Sequence, residues 1–168
     1  HVIDLLDIET GNVVKKLESD NTSDAWNKKT LSPDKKYIAA YTNKDHRIAI
    51  WDIEVGKLVR SFSFTPKVGE SVIKMLFTPD SKELLLLAQN GTVLVANTLK
   101  GGIKRRMNKS NFDYKNPKAN LLKQTKVCMP QDMAISPDNE MLGIAATVII
   151  NDIPNRFVDN MTGAILFD

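Results

Sequence analysis

In Leu31 to Gly56, LSPDKKYIAAYTNKDHRIAIWDIEVG, the chain spells two strands and the turns that frame them. Ser32-Pro33-Asp34-Lys35-Lys36 has type I turn chemistry: Pro33 presets φ at the second position, and the Ser32 and Asp34 side chains can bond nearby backbone N–H groups. Tyr37 to Tyr41 supplies apolar and aromatic strand formers. Asn43-Lys44-Asp45-His46 is a tight-turn cluster, and Arg47 to Ile53 is a second run ending in Trp51-Asp52-Ile53. An antiparallel pair is predicted.

The pattern recurs at a step of 45 positions. Going back, Gly56 falls on Gly11, Asp52 on Asp7 and Trp51 on Leu6. Going forward, the same three fall on Gly101, Asn97 and Ala96, while Asp45 falls on Asn90. Ser32-Pro33-Asp34 is matched by Thr78-Pro79-Asp80 and by Ser136-Pro137-Asp138. A shift of 107 places Gly56 on Gly163, Asp52 on Asp159, Trp51 on Val158 and Asp45 on Asp152. Repeats of this length mark repeat architectures whose units bury their faces on one another.

Short strands, a Ser/Thr-Pro-Asp turn, a tight turn with Asp and a strand closing in Trp-Asp resemble the WD40 repeat. The resemblance covers nearly the whole chain. It implies an all-β fold of propeller blades: a partial first blade at 1–17, blades at 18–62 and 63–106, a basic inter-blade insertion at 107–127, and a blade at 128–168. It also implies a structural network of Asp45, Trp51, Asp52, Asn90, Asp152 and Asp159, with Asp45 bonding backbone in its own turn and Trp51 buried. The Gly-His pair of the family is absent, and Trp51 is replaced in the other repeats, so blades here are expected to rely on packing. The divergent, Lys/Asn-rich repeats resemble those of NACHT and WD-repeat proteins. In the last unit, strands are expected at 155–160 and 164–167, joined by a turn at Gly163; a competing register makes Ile149 to Ile153 the third strand, with Asn151-Asp152 in place of Trp-Asp.

A closed propeller has four to eight blades. With 168 residues and His1 opening inside a strand, the chain is expected to be a piece of a longer protein. No run of 18 apolar residues spans a membrane and no leader pattern stands at the start, which predicts a soluble piece. One cysteine, Cys128, and two histidines, His1 and His46, cannot supply a Cys/His zinc site or an internal disulfide. These features predict a cytoplasmic setting with no metal and no cofactor.

Lys15, Lys16 and Arg60 fall on expected outer strands, where charge discourages edge-to-edge pairing. Trp26 is expected in the core. Leu84 to Leu87 is apolar on both faces, as a strand sandwiched between neighbouring sheets should be. Lys100 to Lys126 carries nine Lys/Arg against Asp113 alone, although the whole chain is only +3. It reads as a long solvated loop. The rival reading is a nucleic-acid or anionic-surface contact through Lys104, Arg105, Arg106, Lys109, Phe112 and Tyr114.

Catalysis needs a converging nucleophile and base, and no Gly-x-Ser-x-Gly elbow, phosphate loop or metal loop is present. The resemblance instead implies a non-catalytic scaffold or sensor that contacts other proteins, or the rest of its own propeller, through loops such as Asn43 to His46 and Ala88 to Gly91.

Overall fold

The structure, a computed structural model, describes residues 2–19, 25–107, 125–151 and 158–167, with backbone alone at 125–128, 147–151 and 158–167. Every regular element among the described residues is a strand. β1 (Val2–Leu6) and β2 (Val13–Glu18) form a two-stranded antiparallel sheet. β3 (Lys28–Leu31), β4 (Tyr37–Thr42), β5 (Arg47–Asp52) and β6 (Lys57–Ser63) make a second, four-stranded sheet in chain order. β7 (Val72–Phe77), β8 (Glu83–Ala88), β9 (Val93–Asn97) and β10 (Ile103–Met107) make a third of the same kind. β11 (Thr125–Ile135), β12 (Leu142–Asn151) and β13 (Val158–Phe167) form a three-stranded fourth. The all-β expectation is met.

Side chains alternate across a strand, so each middle strand can feed two cores. Ile38 and Ala40 on β4, with Ala49 and Trp51 on β5, pack on Ile3 and Leu17 of the first sheet and on Trp26. Their neighbours Ala39, Tyr41, Ile48 and Ile50 turn the other way, onto Met75, Phe77, Leu84 and Leu86 of the third sheet. Leu85, Leu87, Val93 and Val95 then meet Met133, Leu142 and Ile144 of the fourth. The four leucines of β8 are thus apolar on both faces because a sheet covers each face. Full burial of one such side chain is worth about 1.5–3 kcal/mol.

Two kinds of turn recur, held by the same bonds each time. In the first, the hydroxyls of Ser32, Thr78 and Ser136 donate to Asp34, Asp80 and Asp138, and accept the N–H of Tyr37, Glu83 and Met141 at 2.8, 3.0 and 2.8 Å. The same aspartates accept N–H groups of Lys36, Lys82 and Glu140, each at 3.1 Å. Lys35, Ser81 and Asn139 close the turns at positive φ. In the second kind, Asp7, Asp52 and Asn97 accept N–H groups from Thr10, Val55 and Lys100 at 2.7, 3.0 and 2.7 Å. Gly11, Gly56 and Gly101 end those turns at φ of 70°, 71° and 76°.

Two expectations are corrected. Lys100 to Lys126 is not loop throughout: Ile103–Met107 is β10, paired along β9 with an irregularity between Ile103 and Arg105. The strand forms there because β9 presents an edge that needs a partner, and because Glu83 and Glu70 receive its cations. The turn at Gly163 is also absent. β13 runs straight through it, with Gly163 opposite Ala146, and pairs at all ten positions of β12. A turn at Gly163 would leave half of that edge unpaired.

Candidate functional site

The loops at one end of the sheets are bound to one another. They are the segment before β3, the β4–β5 turn, the β6–β7 linker and the β8–β9 turn. Asn27 Oδ1 accepts the Asn43 N–H at 2.8 Å, and the Asn27 N–H donates to the Tyr41 carbonyl at 2.8 Å. The Tyr41 hydroxyl lies 2.8 Å from His46 Nδ1, and Phe64 from the linker stacks on Tyr41 at 6.2 Å and lies 5.9 Å from His46. The Phe64 N–H donates to the His46 carbonyl at 3.3 Å. Burial raises the Tyr41 pKa, with a Val72 backbone bond opposing and Asp45 adding to the rise, which keeps the phenol a neutral donor.

The far end of the linker is fastened to the β8–β9 turn. Asn90 Nδ2 donates to the Val68 carbonyl at 3.2 Å, the Asn90 N–H to the Gly69 carbonyl at 3.1 Å, and the Gln89 N–H to the Ser71 carbonyl at 2.8 Å. Below them the Glu70 carboxylate, with its side chain 1% exposed, accepts the Lys67 N–H at 2.8 Å and meets Arg106 Nε at 3.3 Å. Arg106 Nη2 also donates to the Thr65 carbonyl at 3.0 Å. A loop fixed at this many points still presents Val68 at 99% exposure.

The residues expected from the sequence are placed as follows. Trp51 is fully buried, packs edge-on to Trp26 at 5.2 Å, and donates from Nε1 to the Glu18 carbonyl of the first sheet at 2.7 Å. Asp52 caps its own turn, and Asn90 bonds the Thr92 N–H at 3.0 Å in its turn as well as the linker. Asp45 does otherwise. Its carboxylate faces Arg47 Nε at 3.6 Å and takes no backbone bond, because the turn is already closed by the Tyr41–His46 contact. Asp159 lies in β13, and Asp152 outside the described residues.

The basic set is divided. Lys104 and Arg105 both reach Glu83 of β8, and Arg106 is tied to Glu70 of the β6–β7 linker, so each of these cations faces an acid of the chain itself. Lys109, Phe112 and Tyr114 lie outside the described residues. Trp26 is buried, as expected, and Arg47 covers its ring at 5.1 Å.

Lys15 and Arg60 do more than protect edges. The Lys15 stem lies 3.2 Å from where a Cβ on Gly56 would stand, and its ammonium donates to the Ile53 and Glu54 carbonyls. The Arg60 stem stands likewise 3.2 Å from such a Cβ on Gly101. Each is a cation on one sheet's outer strand clasping the glycine turn of the next. The pairs Lys15/Arg60 and Gly56/Gly101 share the 45-residue step, and that coincidence was the available signal. The Glu70–Arg106 pair had none, because the linker length alone sets its register.

Among the described residues, no group of three His, Cys, Asp or Glu could hold a metal ion, and no helix is long and apolar enough to cross a membrane. A cleft of about 130 Å³ between the third and fourth sheets is lined by Glu83, Arg105, Glu140 and Met141.

No family model matches the chain, and no curated protein matches it. Solved structures do share its fold. Among them the hydrazine synthase of Kuenenia stuttgartiensis superposes with a TM-score of 0.62 over 96% of this chain at 16% identity. The chain spans 43% of that protein's length. At such identity the likeness concerns the fold.

Proposed function

We propose that the four sheets are successive WD40-like propeller blades, and that the chain is a non-catalytic, cytoplasmic interaction module which contacts protein partners through its interlocked loop end. The observation that supports this most is the β6–β7 linker. A segment whose backbone is bonded to both neighbouring turns has already lost its freedom, so a partner that docks on Val68 meets a preorganised surface. Val68, 99% exposed on that fixed loop, is the apolar side chain such a partner would cover.

The test is capture of cellular proteins by the intact chain and by Val68→Asp, which touches no buried contact. The expected result is loss of a specific captured partner with an unchanged melting curve. RNA binding at low salt is measured in parallel for the parent and for Lys104, Arg105 and Lys109 replaced by Ser, leaving Arg106 to its structural pair. A tight RNA complex that weakens steeply with salt and is lost in that variant overturns the protein-partner reading in favour of an anionic-surface site.

A further inference from the structure

We infer that the Asn90-Gly91 peptide is a deamidation site that the folded turn holds closed, and that its conversion frees the β6–β7 linker from the β8–β9 turn. This inference rests on the loop geometry and not on the proposed function. Asn90 alone among the chain's asparagines is followed by glycine. Glycine has no Cβ to hinder close approach of its own backbone, so in an open chain the Gly91 nitrogen can reach Cγ of the Asn90 carboxamide. The nitrogen gives its proton to solvent base and bonds Cγ, the Cγ–Nδ2 bond breaks, and Nδ2 leaves as ammonia with a proton taken from water. Water then opens the cyclic imide at either carbonyl, giving aspartate or its iso form. Amide and water are the whole input.

In the folded turn the reacting groups are held by other bonds. The Gly91 N–H donates to the Ala88 carbonyl at 2.9 Å, and Gly91 is buried. Asn90 Oδ1 accepts the Thr92 N–H at 3.0 Å, while Nδ2 donates to the Val68 carbonyl at 3.2 Å. Bringing Cγ onto the Gly91 nitrogen breaks these bonds, so the turn must open first. Asn90 itself is exposed, and opening there leaves the core closed. Once converted, the turn does not close as before. An aspartate carboxylate has no donor for the Val68 carbonyl, so two acceptors face each other where a hydrogen bond stood. The iso form adds a methylene to the main chain of a turn whose flanking strands pair at Leu87 and Val93. The linker's near end, where the Phe64 N–H meets the His46 carbonyl, is untouched. One end of the loop is released, and a change of solvent does not restore it.

Peptide mapping by mass spectrometry follows the conversion in the intact chain, aged in mildly alkaline buffer with and without guanidinium chloride. In denaturant Asn90 should convert before any other asparagine; in the folded chain it should convert about tenfold or more slowly, because several hydrogen bonds must break first. Equal rates with and without denaturant, or another asparagine leading in denaturant, would overturn the site. Release is read by brief trypsin digestion of Asn90→Asp, which supplies the product's carboxylate without ageing. Cleavage after the exposed Lys67, at the peptide bond into Val68, should rise about twofold to tenfold over the parent, as one lost hydrogen bond allows. Cleavage after Lys74 in β7 should not change. An unchanged rate at Lys67, or an equal rise at Lys74, would overturn the release.

Discussion

The second and third sheets have the same four strands in the same order, and the same two turns, yet fill their cores differently. The sheet of β3 to β6 uses Trp51, Tyr41 and the neighbouring Trp26, with a hydrogen bond from the Trp51 indole to the first sheet. The sheet of β7 to β10 uses Leu84 to Leu87, Val93 and Val95, and makes no such polar reach from its middle strands. What is bonded locally repeats; what packs against a neighbour varies with that neighbour. A Ser-Pro-Asp turn is closed by its own side chains within six residues, so its chemistry must be kept each time. A face between two sheets needs only matched volume, which several apolar sets can supply.

The largest break in the comparison should come from Trp51→Ala, expected to cost about 3–5 kcal/mol in urea unfolding, the usual range for an aromatic deleted from a core. Leu86→Ala in the third sheet should cost about 2–5 kcal/mol. The two differ in kind. Trp51→Phe should still lose about 1 kcal/mol for the missing bond to Glu18, and near-parent stability in that variant would show that the indole bond does not join the first two sheets.

The third sheet has its own polar clamp, and Arg106→Ala should cost about 3 kcal/mol by leaving the Glu70 carboxylate buried without its cation. Replacing Lys104, which is 55% exposed, should change stability by less than about 1 kcal/mol. Equal effects from the two would mean that Glu70 is reached by water.

Acid should probe the turns that the sheets have in common. The hydroxyls of Ser32 and Thr78 hold the Asp34 and Asp80 carboxyls below their ordinary range, with backbone N–H groups adding to the effect. A carboxyl lowered in the folded state contributes stability that is complete above its ordinary value and is lost as pH falls through the lowered one. The contribution from these turns should therefore fade below about pH 4. In the double variant Ser32→Ala, Thr78→Ala the acid limb of stability against pH should be shallower than in the parent, and an unchanged limb would mean that the turns do not depend on the charge.

Much of this was legible in the sequence, for a physical reason. The turn residues at 32–34, 78–80 and 136–138, and those at 7, 52 and 97, act through bonds to backbone a few positions away, so spacing alone reveals them. The double-sided Leu84 to Leu87 run announced a strand between two sheets. What stayed hidden depends on distant partners. Glu70 and Arg106 meet across a sheet edge, and β10 could be read as loop because its Lys104-Arg105-Arg106 looks solvated until Glu83 is placed beside it. Gly163 looked like a turn because glycine permits one, but β12 offered it a partner.

The smallest effect separates two positions that the repeat treats as equivalent. Asp45 and Asn90 are 45 residues apart and both stand in a turn between the second and third strands of a sheet. The Asn90 side chain accepts the Thr92 N–H in its own turn and donates to the Val68 carbonyl of the linker, so Asn90→Ala should cost about 1 kcal/mol and loosen the loop that carries Val68. Asp45 is 44% exposed and only faces Arg47, which also stacks on Trp26 and can keep that position without it. An exposed pair of this kind contributes little after screening, so Asp45→Ala should change stability by less than about 0.5 kcal/mol. The two variants are compared by urea unfolding at equal slope. A loss of more than about 1 kcal/mol at Asp45 would mean that the carboxylate holds its turn in solution, and that the two sheets share a tight-turn network after all.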